Sequence, residues 1–264
     1  MSKPSLIDIG ANLTNSAFAK DLEEILEQAQ ESGIQHIIVT GTDEASSHEA
    51  AELTNTNSDL LYSTAGIHPH TAKDWDKNSS LWIRGLAKED CVKAIGETGL
   101  DFNRDFSPRP QQESAFEQQI EIAAELQLPL FMHERDAHQR FYEIIKAHRD
   151  HIKAGVVHCF TGDKKALYNY LDLDLHIGVT GWICDERRGL DLQEQVKNIP
   201  LSRLMLETDS PYLIPRTIRP RPKKNRNIPA NLTYVVEQVA TCLDKTPQEI
   251  ATKTTETAKT FFNI

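Results

Sequence analysis

Long apolar runs are missing from this 264-residue chain, and none approaches the roughly 20 residues that a membrane-spanning helix needs. The first residues, MSKPSLIDIG, pass straight into a strand-like run with no apolar stretch of signal-peptide length, so a cytoplasmic protein is expected. Cysteine is scarce. Cys91, Cys159, Cys184 and Cys242 form no CxxC pair, which argues against a disulfide framework or an all-cysteine zinc site and fits reduced thiols. No strand-like run leads into GxGxxG or GxxxxGK[ST], so no nucleotide cofactor is expected. Cations are outnumbered 29 to 39, a formal net charge of -10, which excludes coating of nucleic acid by bulk electrostatics but leaves room for a local basic site.

What is present is regular. Apolar residues make up 39% of the chain, enough for a substantial core. Eight short runs rich in Val, Ile and Leu begin near Leu6, Gln35, Leu60, Cys91, Leu128, Gly155, Leu175 and Arg203. Between them lie amphipathic stretches such as Leu22, Ile25, Leu26 and Ala29, or Phe141, Ile144 and Ile145. Thr246-Pro247-Gln248-Glu249 combines a capping box with proline at the first helical position and marks a helix start. Eight alternations in a chain of this length match an α/β fold of the (β/α)8 TIM-barrel type. No linker divides them, so one domain over residues 1–264 is expected. An open doubly wound sheet is the alternative.

In such a barrel the strand ends feed loops on one face, so polar residues there converge. The runs end in GIHPH (His68, His70), AIGETGLD (Glu97, Asp101), LFMHERD (His133, Asp136), VVHCF (His158) and LMLETDSPY (Glu207, Asp209). A lone histidine at a strand end is usually structural; coincidence across five strands is not. Two imidazoles and two carboxylates, Glu97, His133, His158 and Asp209, suit Mg, Mn or Zn and leave positions for water and substrate. Asp209 could also accept a proton from that water. Glu207, two residues earlier on the same strand, points to the same side one layer deeper and is expected to orient other groups. Arg135 and Asp136 are placed to support the site or meet a phosphate.

Together these segments resemble the TatD family of metal-dependent nucleases, specifically the TatD proper branch. The resemblance runs nearly end to end through DIGANLTN (8 to 15), TAGIHPH (64 to 70), AIGETGLDFNRDFSP (94 to 108), PLFMHERDAHQRF (129 to 141), VVHCFTG (156 to 162), TGWICDERRGL (180 to 190) and LETDSPYLIPR (206 to 216). It implies a barrel hydrolase of phosphodiester bonds, typically a magnesium-dependent exonuclease trimming single-stranded DNA or RNA from the 3′ end, linked to DNA repair and degradation. Carried over by motif, Glu97, His133 and His158 are metal ligands, Asp209 is ligand and catalytic carboxylate, and His68 faces the substrate, so Asp209, Glu97 and His68 form the catalytic group. Many relatives carry HxH at the end of strand one; this chain has Gly10-Ala11-Asn12, as the TatD proper branch does. One tight metal site is therefore expected, with a second ion weak or recruited by substrate phosphate.

Arg216 to Arg226 holds six cations and no acid, directly after strand eight. With Arg135, its Lys223, Lys224 and Arg226 are candidate contacts for a phosphate backbone. Trp75, Trp182 and especially Tyr212 could stack on unpaired bases. The expected partner is thus single-stranded DNA, and RNA as a further substrate, acted on by a monomer. Two alternatives remain at this point: a barrel metallohydrolase of an amide, a lactone or an aminoacyl-tRNA ester, and a non-catalytic scaffold, the latter suggested by Gly10 and Asn12.

Overall fold

In the computed structural model, which describes residues 5–222 and 225–264, eight strands form one sheet paired in sequence order, every pairing parallel. They are β1 (Leu6–Ala11), β2 (Ile34–Val39), β3 (Leu61–Ala65), β4 (Val92–Asp101), β5 (Leu130–Arg135), β6 (Gly155–Val157), β7 (His176–Val179) and β8 (Leu204–Leu206). Each expected strand start lies within two residues of an observed one. Between the strands run α1 (Leu22–Glu31), α2 (Glu44–Thr56), α3 (Ser79–Leu86), α4 (Arg109–Leu126), α5 (His138–His148), α6 (Lys164–Asp172) and α7 (Leu190–Gln195), followed after β8 by α8 (Leu232–Leu243) and α9 (Pro247–Phe262). Thr246 and Glu249 form the capping box that opens α9. No helix among the described residues is long and apolar enough to cross a membrane.

The sheet closes just past β8, where Asp209 N donates to Gly10 O at 2.9 Å and Asn12 N donates to Ser210 O at 2.7 Å. Closure excludes the open doubly wound sheet. Side chains stitch the same seam: Thr208 donates to buried Asp8 through its backbone N–H (2.9 Å) and its hydroxyl (2.5 Å).

Alternation along the strands then places the site. Ile7, Ile9, Ile38, Ala94, Phe131, Val156 and Met205 form one buried apolar cluster with Ala258, Phe261 and Phe262 of α9. Side chains two residues apart share a face, so Phe131 is succeeded by His133, Val156 by His158 and Met205 by Glu207. The apolar floor and the polar mouth are one inner surface, filled from below by α9. In β4, Gly96 and Glu97 between Ile95 and Thr98 oppose the single residue Phe131 of β5, and this bulge re-aims the strand so that Glu97 follows Ala94 into the barrel. Gly96 makes the bulge feasible: its φ is +146°, and a Cβ there would collide with the Phe131 carbonyl.

Asp8 carries a consequence for stability. Burial pushes its carboxyl up from 3.8 to about 8, against the Thr208 and Gly10 hydrogen bonds that pull it down. The folded chain thus binds a proton that the unfolded chain releases near pH 4, so this group's stabilisation is fully present at the acid end and is lost as pH rises from about 4 to about 8. Asp8→Asn keeps an acceptor for the Thr208 and Gly10 N–H groups and places an amide donor opposite the Thr208 hydroxyl, without the titration. Its melting temperature relative to wild type is expected to climb across that window and level off above it, as thermal denaturation at a series of pH values would record; parallel curves would contradict this account.

Candidate metal centre

Three imidazoles converge on one oxygen. Glu97 Oε1 lies 2.8 Å from His158 Nε2, 3.1 Å from His133 Nδ1 and 3.2 Å from His68 Nε2, at the mouth defined by β3, β4, β5 and β6. Glu97 is 5% exposed, so an uncompensated charge here would cost several kcal/mol. Burial opposes its ionisation, but the neighbouring His158 and His68 and the bonds from His133 and His158 hold its carboxyl well below the usual range. The cluster lies in an open cavity of about 780 Å³ that also reaches Asn12, Arg135, Trp182, Asp209 and Tyr212.

Each histidine is set by a different partner. Nδ1 of His68 accepts the His70 N–H at 3.0 Å, so its proton sits on Nε2 and points at Glu97. Burial lowers the His68 pKa to about 4, keeping that ring neutral. His158 stands between two carboxylates, with Nδ1 3.3 Å from Glu207 Oε2. Burial disfavours its cation, yet Glu97 and Glu207 together raise its pKa well above the ordinary value. His133 keeps Nε2 buried with no hydrogen-bond partner, the nearest acceptor being Asp101 Oδ2 at 3.5 Å. Asp101 is engaged more closely by His70 Nε2 at 2.6 Å. Burial again opposes its charge, and the neighbouring imidazoles of His133 and His70 hold Asp101 far below the carboxylate range.

This donor set fits a divalent ion. His68, Glu97 and His133 each offer a ligand atom, all within 4.8 Å of one another. A buried His133 nitrogen without a hydrogen-bond partner and three imidazoles gathered on one carboxylate oxygen suit such an ion. Glu207 has the usual position of an outer carboxylate that fixes a ligating histidine. It is fully buried, and its other oxygen accepts the Cys159 N–H at 2.6 Å.

Asp209 sits at the edge of this cluster, just beyond β8, with φ +51°. Burial, with Glu97 and Glu207 nearby, raises its pKa to about 7 despite His158. Asn12 donates its amide N–H to Asp209 Oδ1 at 3.0 Å, so the residue standing where relatives carry a histidine holds Asp209 in place. Gly10 has its own reason: a Cβ there would collide with Glu207 Oε2. A side chain at position 10 would require the Glu207 carboxylate to shift.

The other candidates divide. Arg135 bonds Thr161 Oγ1 at 2.8 Å and lies over the Trp182 ring on the cavity wall. Tyr212 is half exposed at the rim, its hydroxyl accepting from Asn15. The basic segment departs from expectation. Arg226 is fixed by Asp21 through two bonds of 2.8 and 2.7 Å, and Arg216 by Glu186 through two of 3.1 Å, because acids remote in sequence fold against them. Neither is free for a backbone phosphate, and Lys223 and Lys224 lie outside the described residues. Trp75 is not at the mouth; it packs on the core and donates to Gln118. Asp136 accepts from Asn103 rather than facing the cluster. Sequence reading missed the Asp8–Thr208 pair, whose members lie 200 residues apart and share no local signal.

Residues 7–263 match the family model described as TatD related DNase. A protein named 3'-5' ssDNA/RNA exonuclease TatD from Rahnella sp. (strain Y9602) is 48% identical over 98% of both chains. One of the same name from Yersinia pseudotuberculosis serotype O:3 is 47% identical over 98% of this chain and 100% of its own. Among solved structures, a TatD homologue from Escherichia coli superposes with a TM-score of 0.89 at 26% identity over 98% of each chain, and a TatD family hydrolase from Entamoeba histolytica with 0.88 at 26% over 99% of each.

If Glu207 fixes His158 for metal binding, Glu207→Gln should weaken Mn affinity by about 10- to 100-fold. Titration calorimetry on the folded variant reads this directly, and unchanged affinity would remove Glu207 from the site.

Proposed function

The chain belongs to the family of TatD-related DNases, and on that premise we propose that it is a metal-dependent 3′–5′ exonuclease of single-stranded DNA, and of RNA, with Mg as the working ion. The observation that carries the reading is the sharing of Glu97 Oε1 by His68, His133 and His158 at the barrel mouth. In this reading Glu97, His133 and His158 hold the ion and Asp209 completes its surroundings. When bound, a divalent ion supplies activation of water and polarisation of the phosphodiester.

The remaining work belongs to the side chains. Asp209, buried at the edge of the cluster, is placed to take a proton from the attacking water and release it again. Asn12 orients it by the 3.0 Å bond. His68, neutral and carrying its proton on Nε2, can donate a hydrogen bond to a phosphate oxygen at the site once Glu97 is engaged elsewhere. Arg135, without an ion pair among the described residues, offers a guanidinium to the phosphates, and exposed Tyr212 a ring to a base. The four free cysteines suit a cytoplasmic monomer working in DNA repair or degradation.

Single-stranded DNA labelled at its 5′ end is expected to shorten stepwise in Mg or Mn and to stay intact in EDTA. Asp209→Asn should lower kcat by about 10²- to 10⁴-fold with the fold kept. Intact DNA with every ion, or full turnover by Asp209→Asn, would reject the assignment.

A further inference from the structure

The segment between β4 and α4 holds two side chains that the site described above leaves unused. Phe106 is 57% exposed although its neighbours are firmly anchored, and it rests edge-on against His70 with ring centroids 4.8 Å apart. Arg104 lines the metal cavity and, among the described residues, its guanidinium has neither an ion pair nor a hydrogen bond. An unpaired cation and an exposed ring two residues apart on one loop offer what single-stranded nucleic acid uses, one for phosphate and one for a base.

Looseness does not explain the exposure. Asp101 Oδ1 accepts the N–H groups of Asn103 and Arg104 at 3.0 and 2.8 Å. Buried Gln112 ties both ends, accepting from Asp101 N and donating to the carbonyls of Asp101 and Ser107. The Ser107 hydroxyl donates to His70 O at 2.9 Å. Arg109 pins Asp105 at 2.8 Å. A loop held at both ends that still turns a phenylalanine to solvent forfeits apolar burial at a fixed place. That place is one histidine ring away from His68.

We propose that residues 101–107 form a nucleotide subsite in which an unpaired base stacks on Phe106 while Arg104 meets its phosphate, making Phe106 a determinant of the preference for single strands. The inference rests on the nuclease reading and adds to it a second contact beside the metal. Bases inside a duplex are covered by their neighbours and held by their complements, so only a single strand can turn one out onto the ring. Phe106 acts on binding; it does not touch the reacting atoms.

The test measures kcat and KM for single-stranded oligonucleotides that are intact or carry an abasic residue at one of the last three positions, with wild type, Phe106→Ala, Phe106→Trp and Arg104→Ala. Phe106→Ala should raise KM by about 5- to 100-fold with kcat nearly unchanged, and Phe106→Trp should restore it. One abasic position should cost wild type the same factor and cost Phe106→Ala nothing further. Arg104→Ala should raise KM most at low salt. Unchanged KM in Phe106→Ala, a loss confined to kcat, or additive losses with every abasic position would overturn the subsite. Binding of an oligonucleotide with 2-aminopurine at that position separates the two readings. Quenching in wild type that is lost in Phe106→Ala upholds the subsite even if no oligonucleotide is cut, an outcome that would count against the nuclease alone; no quenching would overturn the subsite even in an active nuclease.

Discussion

A carboxylate buried at the mouth of an apolar barrel must be met by positive charge, and Glu97 places that demand on everything around it. Three imidazoles answer it at 2.8 to 3.2 Å. Their own requirements recruit the next layer: Glu207 behind His158, Asp101 behind His133 and His70, the His70 N–H behind His68. Glu207 in turn occupies space that a Cβ at position 10 would enter, so Gly10 lets the carboxylate stand where it does. Burial, with Glu97 and Glu207 close by, pushes the Asp209 pKa up to about 7. A divalent ion is the charge that would relieve all of these contacts together.

Much of this was legible because parallel strands obey a period of two. Knowing that Phe131 and Val156 are buried within the barrel is enough to aim His133 and His158 at its mouth, and the apolar runs marked every strand to within two residues. Glu97 needed more. Its direction depends on a bulge in β4 set by a close approach of Gly96 to the Phe131 carbonyl, a tertiary contact that no local pattern encodes. The place of Glu97 at the end of a strand marked it as a candidate, and its direction came only with the fold.

Charge was the least legible property. The run from Arg216 to Arg226 carries no acid of its own, yet Glu186 and Asp21, 30 and 205 residues away along the chain, neutralise two of its members. Arg104 and Arg135 lie in unremarkable surroundings and remain unpaired among the described residues. Counting cations along a sequence measures composition, whereas the field at a site depends on which cations the fold leaves without partners. The Asp8–Thr208 pair was hidden for the same reason, its partners being 200 residues apart.

Helix α9 fills the floor of the barrel with Phe261 and Phe262, and Thr255 donates to the carbonyl of Ser5 across 250 residues of sequence. Strand β1 closes only against the stretch after β8, and its apolar residues meet their last neighbours only when α9 arrives. A chain emerging from the ribosome must therefore carry seven strands without a completed mouth, slow to assemble because the decisive contacts are the most distant ones. Unfinished chains consequently hold the ligands on separate, unfixed segments. The closed mouth is thus a property of the finished chain, whose two ends meet last.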